Sequence, residues 1–340
     1  MIPRTIPLHR RCFLALAPAL AALSACALPP DPAIDAAAAA ELARRPDHYT
    51  HGEARAVVVS RHGRPCGLLW GTWHVGYDEA TVMPRPVRAA FAAARRVVVE
   101  QVLDRMPQDA GDAMADLARH GLEDPDPAAL RRLDPLTRQG LADAGVTPAD
   151  LHGNSLLGLA GLVGGRAVPA TAGLLPQVGF VDLNLIGFAR SIGTPVEGLE
   201  EPDPGLFRRL FYADPNGADA AAALRLALRR RAGAGAGALL GWVRARYQAG
   251  QVGTLLAGQA GWMAEPADLR RADVMRGPLL AQRNLAWLPR LEAALDAPGL
   301  TFAAFGAAHL TGTDGVVALL AGRGWMVQPC VGDRVPALDG

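Results

Sequence analysis

The chain has no lysine. All 34 of its basic Lys/Arg positions are arginine, and 33 acidic residues leave a formal charge of +1. That near-balance excludes the cationic surplus with which proteins neutralise a nucleic-acid backbone, so nucleic acid is not an expected partner. Aromatic residues make up 5% of the 340 positions, and the cysteines number four, too few for a scaffold built on disulfides. Past the N-terminus no apolar stretch is long and uninterrupted enough to cross a membrane; 156–175 comes nearest, but Arg166, Pro169 and several glycines break it. What is there is a globular composition, half apolar and a fifth charged, enough for one large core or two modest ones.

The N-terminus reads as an address. Arg4, Arg10 and Arg11 precede the uncharged run Cys12 to Leu23, too short for a membrane span and shaped like the apolar centre of a signal peptide. It ends in Leu23-Ser24-Ala25-Cys26, which resembles a bacterial lipobox with Cys26 as the lipid-bearing first residue; an ordinary secretory signal cut nearby is the alternative. Ala27 in place of Asp favours, by that resemblance, the outer membrane. Arg10-Arg11-Cys12-Phe13-Leu14 also resembles a twin-arginine signal, without its usual flanking residues. The expectation is a lipid-anchored, periplasm-facing protein. Removal of residues 1–25 takes away three arginines and leaves 31 positive against 33 negative groups, a formal charge of −2. Cys66 and Cys330 remain beyond the lipobox, and an oxidising compartment permits a disulfide between them; two buried thiols are the other reading.

Along the rest of the chain strands alternate with helices. A Pro-rich tether leads to an Ala-rich helix near Ile34–Arg45, and residues 55–60 and 67–73 form a hairpin about His62-Gly63-Arg64-Pro65. A helix from Pro84 to about Ala94 leads to the strand Val97-Val98-Val99, and a further short strand covers Thr194 to Glu200. Helices fill most of 109–175 and 204–296, and strands at 300–305 and 325–331 enclose a last helix. This order predicts an α/β fold: a largely parallel central sheet flanked by helices, with ligands beyond the carboxyl ends of the strands. Four of those ends carry His74, Glu100, Glu200 and His309. Each alone reads as a solvated loop residue or a cap. Together, two imidazoles and two carboxylates supply what a hydrolytic site needs: neutral nitrogens near pH 7, and anions to orient them or complete a metal shell.

A repeat is also expected. Residues 66–102 run strand, Gly-x-x-His, loop, helix, strand, and residues 300–330 run the same way, so that two β(GxxH)αβ halves frame a helical insertion and Glu100 aligns with Gln328. Glycine three residues before each His permits a positive φ or a close approach to a neighbouring strand.

Gly71-Thr72-Trp73-His74-Val75, Val97 to Glu100, Gly198-Leu199-Glu200, Arg283-Asn284-Leu285-Ala286-Trp287 and Phe305-Gly306-Ala307-Ala308-His309-Leu310-x-Gly312 stand in the order seen in the TraB/GumN family, which the chain resembles over about residues 53–331. The organisation expected is a signal peptide at 1–25, a tether and helix at 26–52, this domain at 53–331 and a tail at 332–340. The resemblance implies a fold like that of the erythromycin-esterase and ChaN group and, from the animal TIKI proteases, metal-dependent peptide hydrolysis. His74, Glu100 and His309 are then the expected ligands of a divalent metal such as Mn, Co or Zn, with an open position for water. Glu200 is the expected general base or a further ligand. Arg283 stabilises an oxyanion or a substrate carboxylate, or instead pairs with Glu100 or Glu200, and Asn284 bonds the substrate backbone. A metal-free variant has His74 activate water alone. The competing reading is a non-catalytic lipoprotein that binds haem or a peptide through the same histidines, and a weaker one is an accessory of envelope assembly.

Overall fold

The structure, a computed structural model, describes residues 31–73, 83–102, 127–166, 181–201, 217–232, 236–265, 269, 276–330 and 334–336. The helices are α1 Pro32–Arg44, α2 Arg85–Ala93, α3 Pro127–Arg131, α4 Pro135–Asp143, α5 Pro148–Gly153, α6 Leu156–Arg166, α7 Val181–Ser191, α8 Ala218–Ala232, α9 Ala236–Gln248, α10 Val252–Gly261, α11 Gln282–Asp296 and α12 Val316–Gly322. The strands are β1 Ala56–Arg61, β2 Arg64–Thr72, β3 Arg96–Val99, β4 Val196–Gly198, β5 Thr301–Gly306 and β6 Met326–Pro329.

These strands form one sheet in the order β4-β3-β5-β2-β1-β6. β2, β5, β3 and β4 run parallel, while β1 is antiparallel to both β2 and β6. The α/β expectation holds. Strands that are buried on both faces read as unbroken apolar runs, and both Val57–Val59 and Leu68–Trp70 do so because helices cover each side. One face packs Leu68, Trp70, Val97, Val99, Phe302 and Ala304 against α1, α2, α7, α9 and α10. The other packs Leu69, Val98, Ala303 and Phe305 against α11 and α12, where Trp287, Leu288, Leu291 and Leu295 repeat at helical spacing. A further core, away from the sheet, joins α4, α6 and α8 through Leu141, Leu159, Val163 and Leu224.

The sheet order does not confirm the repeat. The path from β2 to β3 passes over one strand, β5, whereas the path from β5 to β6 passes over β2 and β1. The hairpin strand β1 lies between β2 and β6, so Gln328 pairs with Val58 at the sheet's edge and is not at the rim with Glu100. The two cysteines are free thiols in cores on opposite faces, Cys66 beneath α11 and Cys330 on the α1 side, so no disulfide links them. Burial pushes the Cys330 thiol up to about 11. No helix among the described residues is long and apolar enough to cross a membrane. The signal peptide and Cys26 fall outside the described residues, as do 109–126 and 167–175 of the expected helical stretch.

Candidate functional site

Two carboxylates leave neighbouring strand ends. β3 and β4 continue their pairing past Val99 and Gly198, with Leu199 N–H donating to Val99 C=O at 2.8 Å and Glu200 N–H to Glu100 C=O at 3.0 Å. That pairing sets Glu100 and Glu200 side by side. Arg283, in the first turn of α11, spans them: Nη2 donates to Glu100 Oε2 and to Glu200 Oε1, each at 2.7 Å, and Nε donates to Glu200 Oε2 at 3.1 Å. Burial alone would lower the guanidinium pKa, but its hydrogen bonds and charge contacts with Glu200 and Glu100 outweigh that and raise it. One helical turn on, Trp287 Nε1 donates to Glu200 Oε2 at 2.8 Å, and Gln101 Nε2 donates to Glu200 Oε1 at 2.7 Å. A carboxylate offers about four lone-pair positions. Glu200 has all of them filled by Arg283, Trp287 and Gln101. Glu100 accepts the main-chain N–H of Gly306 on Oε1 at 2.6 Å as well as Arg283 on Oε2.

His309 closes the group. β5 ends at Gly306, and the turn Ala307–His309 folds over the end of β2. Gly71 makes room for it: a Cβ there would stand 2.7 Å from Leu310 Cδ1 and 2.9 Å from Ala307 Cα. The expected glycine effect is therefore close approach at this position, because Gly71 is not among the positive-φ residues. The His309 ring is 3% exposed and lies 4.3 Å from the Trp287 ring, centroid to centroid.

The network orients its ring. Asn284 Nδ2 donates to the Asp314 carbonyl at 2.8 Å, so the amide oxygen faces His309 and must accept from Nδ1–H, at 2.6 Å. At the other nitrogen, Arg283 Nη1 stands 3.3 Å away and can only donate, while Glu100 Oε1 is 3.7 Å away and would favour a proton there. With Nδ1 against Asn284 Oδ1, the Nε2 side of the ring faces Arg283 and Glu100.

The structure thus gathers Glu100, Glu200, Arg283, Asn284 and His309. Of the alternatives for Arg283, the ion pair is the one found, and it joins both carboxylates. Asn284 is fully buried with its amide bonded to His309 and Asp314, whereas a bond to substrate backbone was expected of it. His74 lies outside the described residues. The strand that leads to it ends level with the one leading to His309, since Thr72 is in register with Gly306. Among the described residues no three His, Cys, Asp or Glu side chains gather as a metal site. Reading the sequence gave no role to Gln101, the Trp287 indole or the Gly306 amide. Trp287 carried a usable signal, since a residue four places after Arg283 shares its helix face.

The mostly parallel six-stranded sheet covered by helices on both faces defines an α/β class of protein. Within that class, this chain belongs to the TraB/PrgY/gumN family, whose pattern matches residues 56–329. No curated protein matches the chain, and no solved structure does.

Proposed function

We propose that the protein is a hydrolase of peptide-like substrates, working at the rim around His309 and Glu100 with a divalent metal, and anchored in the bacterial envelope through lipid on Cys26. The observation that carries the reading is the His309 imidazole, buttressed at Nδ1 by Asn284, with Nε2 between Arg283 Nη1 at 3.3 Å and the Glu100 carboxylate at 3.7 Å; a metal would take that lone pair in place of the Arg283 contact. Nitrogen and carboxylate donors oriented by second partners are the chemistry of a hydrolytic metal centre. His309 and Glu100 supply two ligands, and His74 is the third in this reading. A divalent ion held there would supply Lewis acidity for the attack of water on a carbonyl.

The remaining roles follow from the bonds. Glu200 holds Arg283 and has no lone pair to spare for a proton, so the expected general base is reassigned to a positioning residue. Arg283 keeps the two carboxylates together and directs Glu100 Oε1 to the rim. Asn284 sets the His309 tautomer and does not touch substrate.

The test is metal content together with hydrolysis of a peptide library, before and after chelation, by the wild type, His309→Ala and Glu100→Gln, each checked for fold by circular dichroism. The expected result is a bound divalent ion that both variants lose, with cleavage lost alongside. Undiminished cleavage by His309→Ala overturns the site. A metal-free, inactive wild type that gains a haem Soret band would transfer the same residues to the binding reading.

A further inference from the structure

The loop that follows His309 is held from outside the family-matched region. Gly312 N–H donates to Thr50 C=O at 2.8 Å and Thr313 N–H donates to Asp47 C=O at 3.0 Å. Both acceptors belong to the segment after α1, ahead of residue 56 where the family match begins. That segment is itself pinned at both ends. Tyr49 Oη donates to the buried Glu41 at 2.9 Å, and Gly253 N–H donates to Gly52 C=O at 2.7 Å, where two glycines let the chains meet.

Arg276 seals the junction. Its Nη2 donates to Thr311 C=O at 2.8 Å, its Nε donates to Asp314 Oδ2 at 3.2 Å, and Nη2 also pairs with Asp314 Oδ1. Gly312 lies at φ +93° beneath the guanidinium, and any side chain there would collide with Arg276 Nη2. Arg276 and Asn284 both reach Asp314, one through its carboxylate and one through its carbonyl. Eight residues of uninterrupted α-helix would turn two side chains ~80° apart. The π-turn at Gly277–Ala281 absorbs an extra residue and returns them to about the same side.

We propose that Arg276, together with the Asp47–Thr50 main chain, forms a clasp on residues 311–314 that acts through the Asp314 carbonyl and Asn284 to hold the ring plane and tautomer of His309. Arg276 is thus a positioning residue, and the working unit of the site extends back to the N-terminal segment. The activity part of the test rests on the hydrolase reading; the spectroscopic part does not.

The experiment uses the full chain in detergent, labelled with 15N-histidine, with the His309 signals assigned by their loss in His309→Gln. In the wild type, His309 shows the Nδ1–H tautomer, and the Gly312 and Thr313 amides exchange slowly with solvent. In Arg276→Gln, the tautomer signature moves toward an average of the two forms and both amides lose protection. On a peptide that the wild type cleaves, kcat falls by about tenfold or more with KM little changed. If Arg276→Gln does not fold, Asp314→Asn breaks the same ion pair and keeps the carbonyl, and the same shifts are expected. Fast exchange of Gly312 and Thr313 in the wild type, or an unmoved His309 tautomer in a folded variant, overturns the clasp. A wild type that cleaves nothing while the tautomer still shifts counts against the hydrolase and for the clasp.

Discussion

Two buried clusters of arginine and carboxylate sit in this molecule, and they are built in opposite ways. At the end of α1, Glu41 accepts from Arg44, Arg45 and Tyr49, all within eight residues of it. One carboxylate faces two guanidinium groups, a formal +1, and the cluster closes as soon as that helix end forms. At the rim, Arg283 faces Glu100 and Glu200 from strand ends about a hundred residues apart in the chain. Two carboxylates face one guanidinium, with the His309 ring alongside. The first cluster completes a helix end. The second exists only after the sheet has assembled, and it retains negative charge and a nitrogen donor at a strand rim, the place where an α/β fold puts ligands. Charge left over, and in which sign, separates a staple from a site.

The sharpest test of that contrast is Arg283→Met. Glu100 and Glu200 are 13% and 19% exposed at their side chains, and removal of Arg283 takes away the cation they share. Breaking a buried pair in this way costs on the order of 3–5 kcal/mol. Urea unfolding followed by circular dichroism should report a loss of that size. Arg283→Lys should recover little of it, because one ammonium cannot reproduce the fork that meets Glu200 through Nε and Nη2.

At the other cluster a smaller loss is expected. Glu41→Gln keeps an acceptor oxygen for Tyr49 and part of the contact with Arg45, and Arg44, at 41% side-chain exposure, can turn to water. The same unfolding measurement should give ~1–3 kcal/mol. Equal losses at the two clusters would break the distinction between them.

The rim residues were legible because each stands where an apolar run ends in a polar residue, and that is local information. Val97 to Val99 followed by Glu100 announces its place without any knowledge of the fold. The partners of those residues were not legible. Glu200 receives donors from Gln101 and from Trp287, and only the sheet order, with β3 between β4 and β5, brings them together. The repeat was not confirmed for the same reason: strand, Gly-x-x-His and helix recur in the sequence, but the insertion of β1 between β2 and β6 is a property of the pairing. Asn284 stood in the right motif, yet its role depends on the Asp314 carbonyl thirty residues away. The cysteine pair was undecidable for a like reason, since alternate residues of a sheet face opposite cores.

The smallest effect concerns His48, which lies between the Glu41 cluster and the Arg276–Asp314 clasp. It follows Arg45 in the pinned segment and feels the charge of Arg276 in the clasp. Burial first, then the positive charges of Arg276 and Arg45, hold its pKa below the ordinary 6.5, while Asp314 and Glu41 pull weakly the other way. A histidine whose folded pKa is depressed contributes nothing to the pH dependence where both states are neutral, above about 6.5. As the pH falls through that value the unfolded chain takes up the proton first, so stability declines until the folded pKa is passed. The shift on a half-exposed group is screened, so the decline should be modest. It should appear as the difference between the unfolding midpoints of the wild type and His48→Gln, widening as pH drops from 7 toward 5 with the wild type losing more. A wild type that instead gains relative to the variant in acid would mean that Asp314 and Glu41 outweigh burial and the charges of Arg276 and Arg45 at His48.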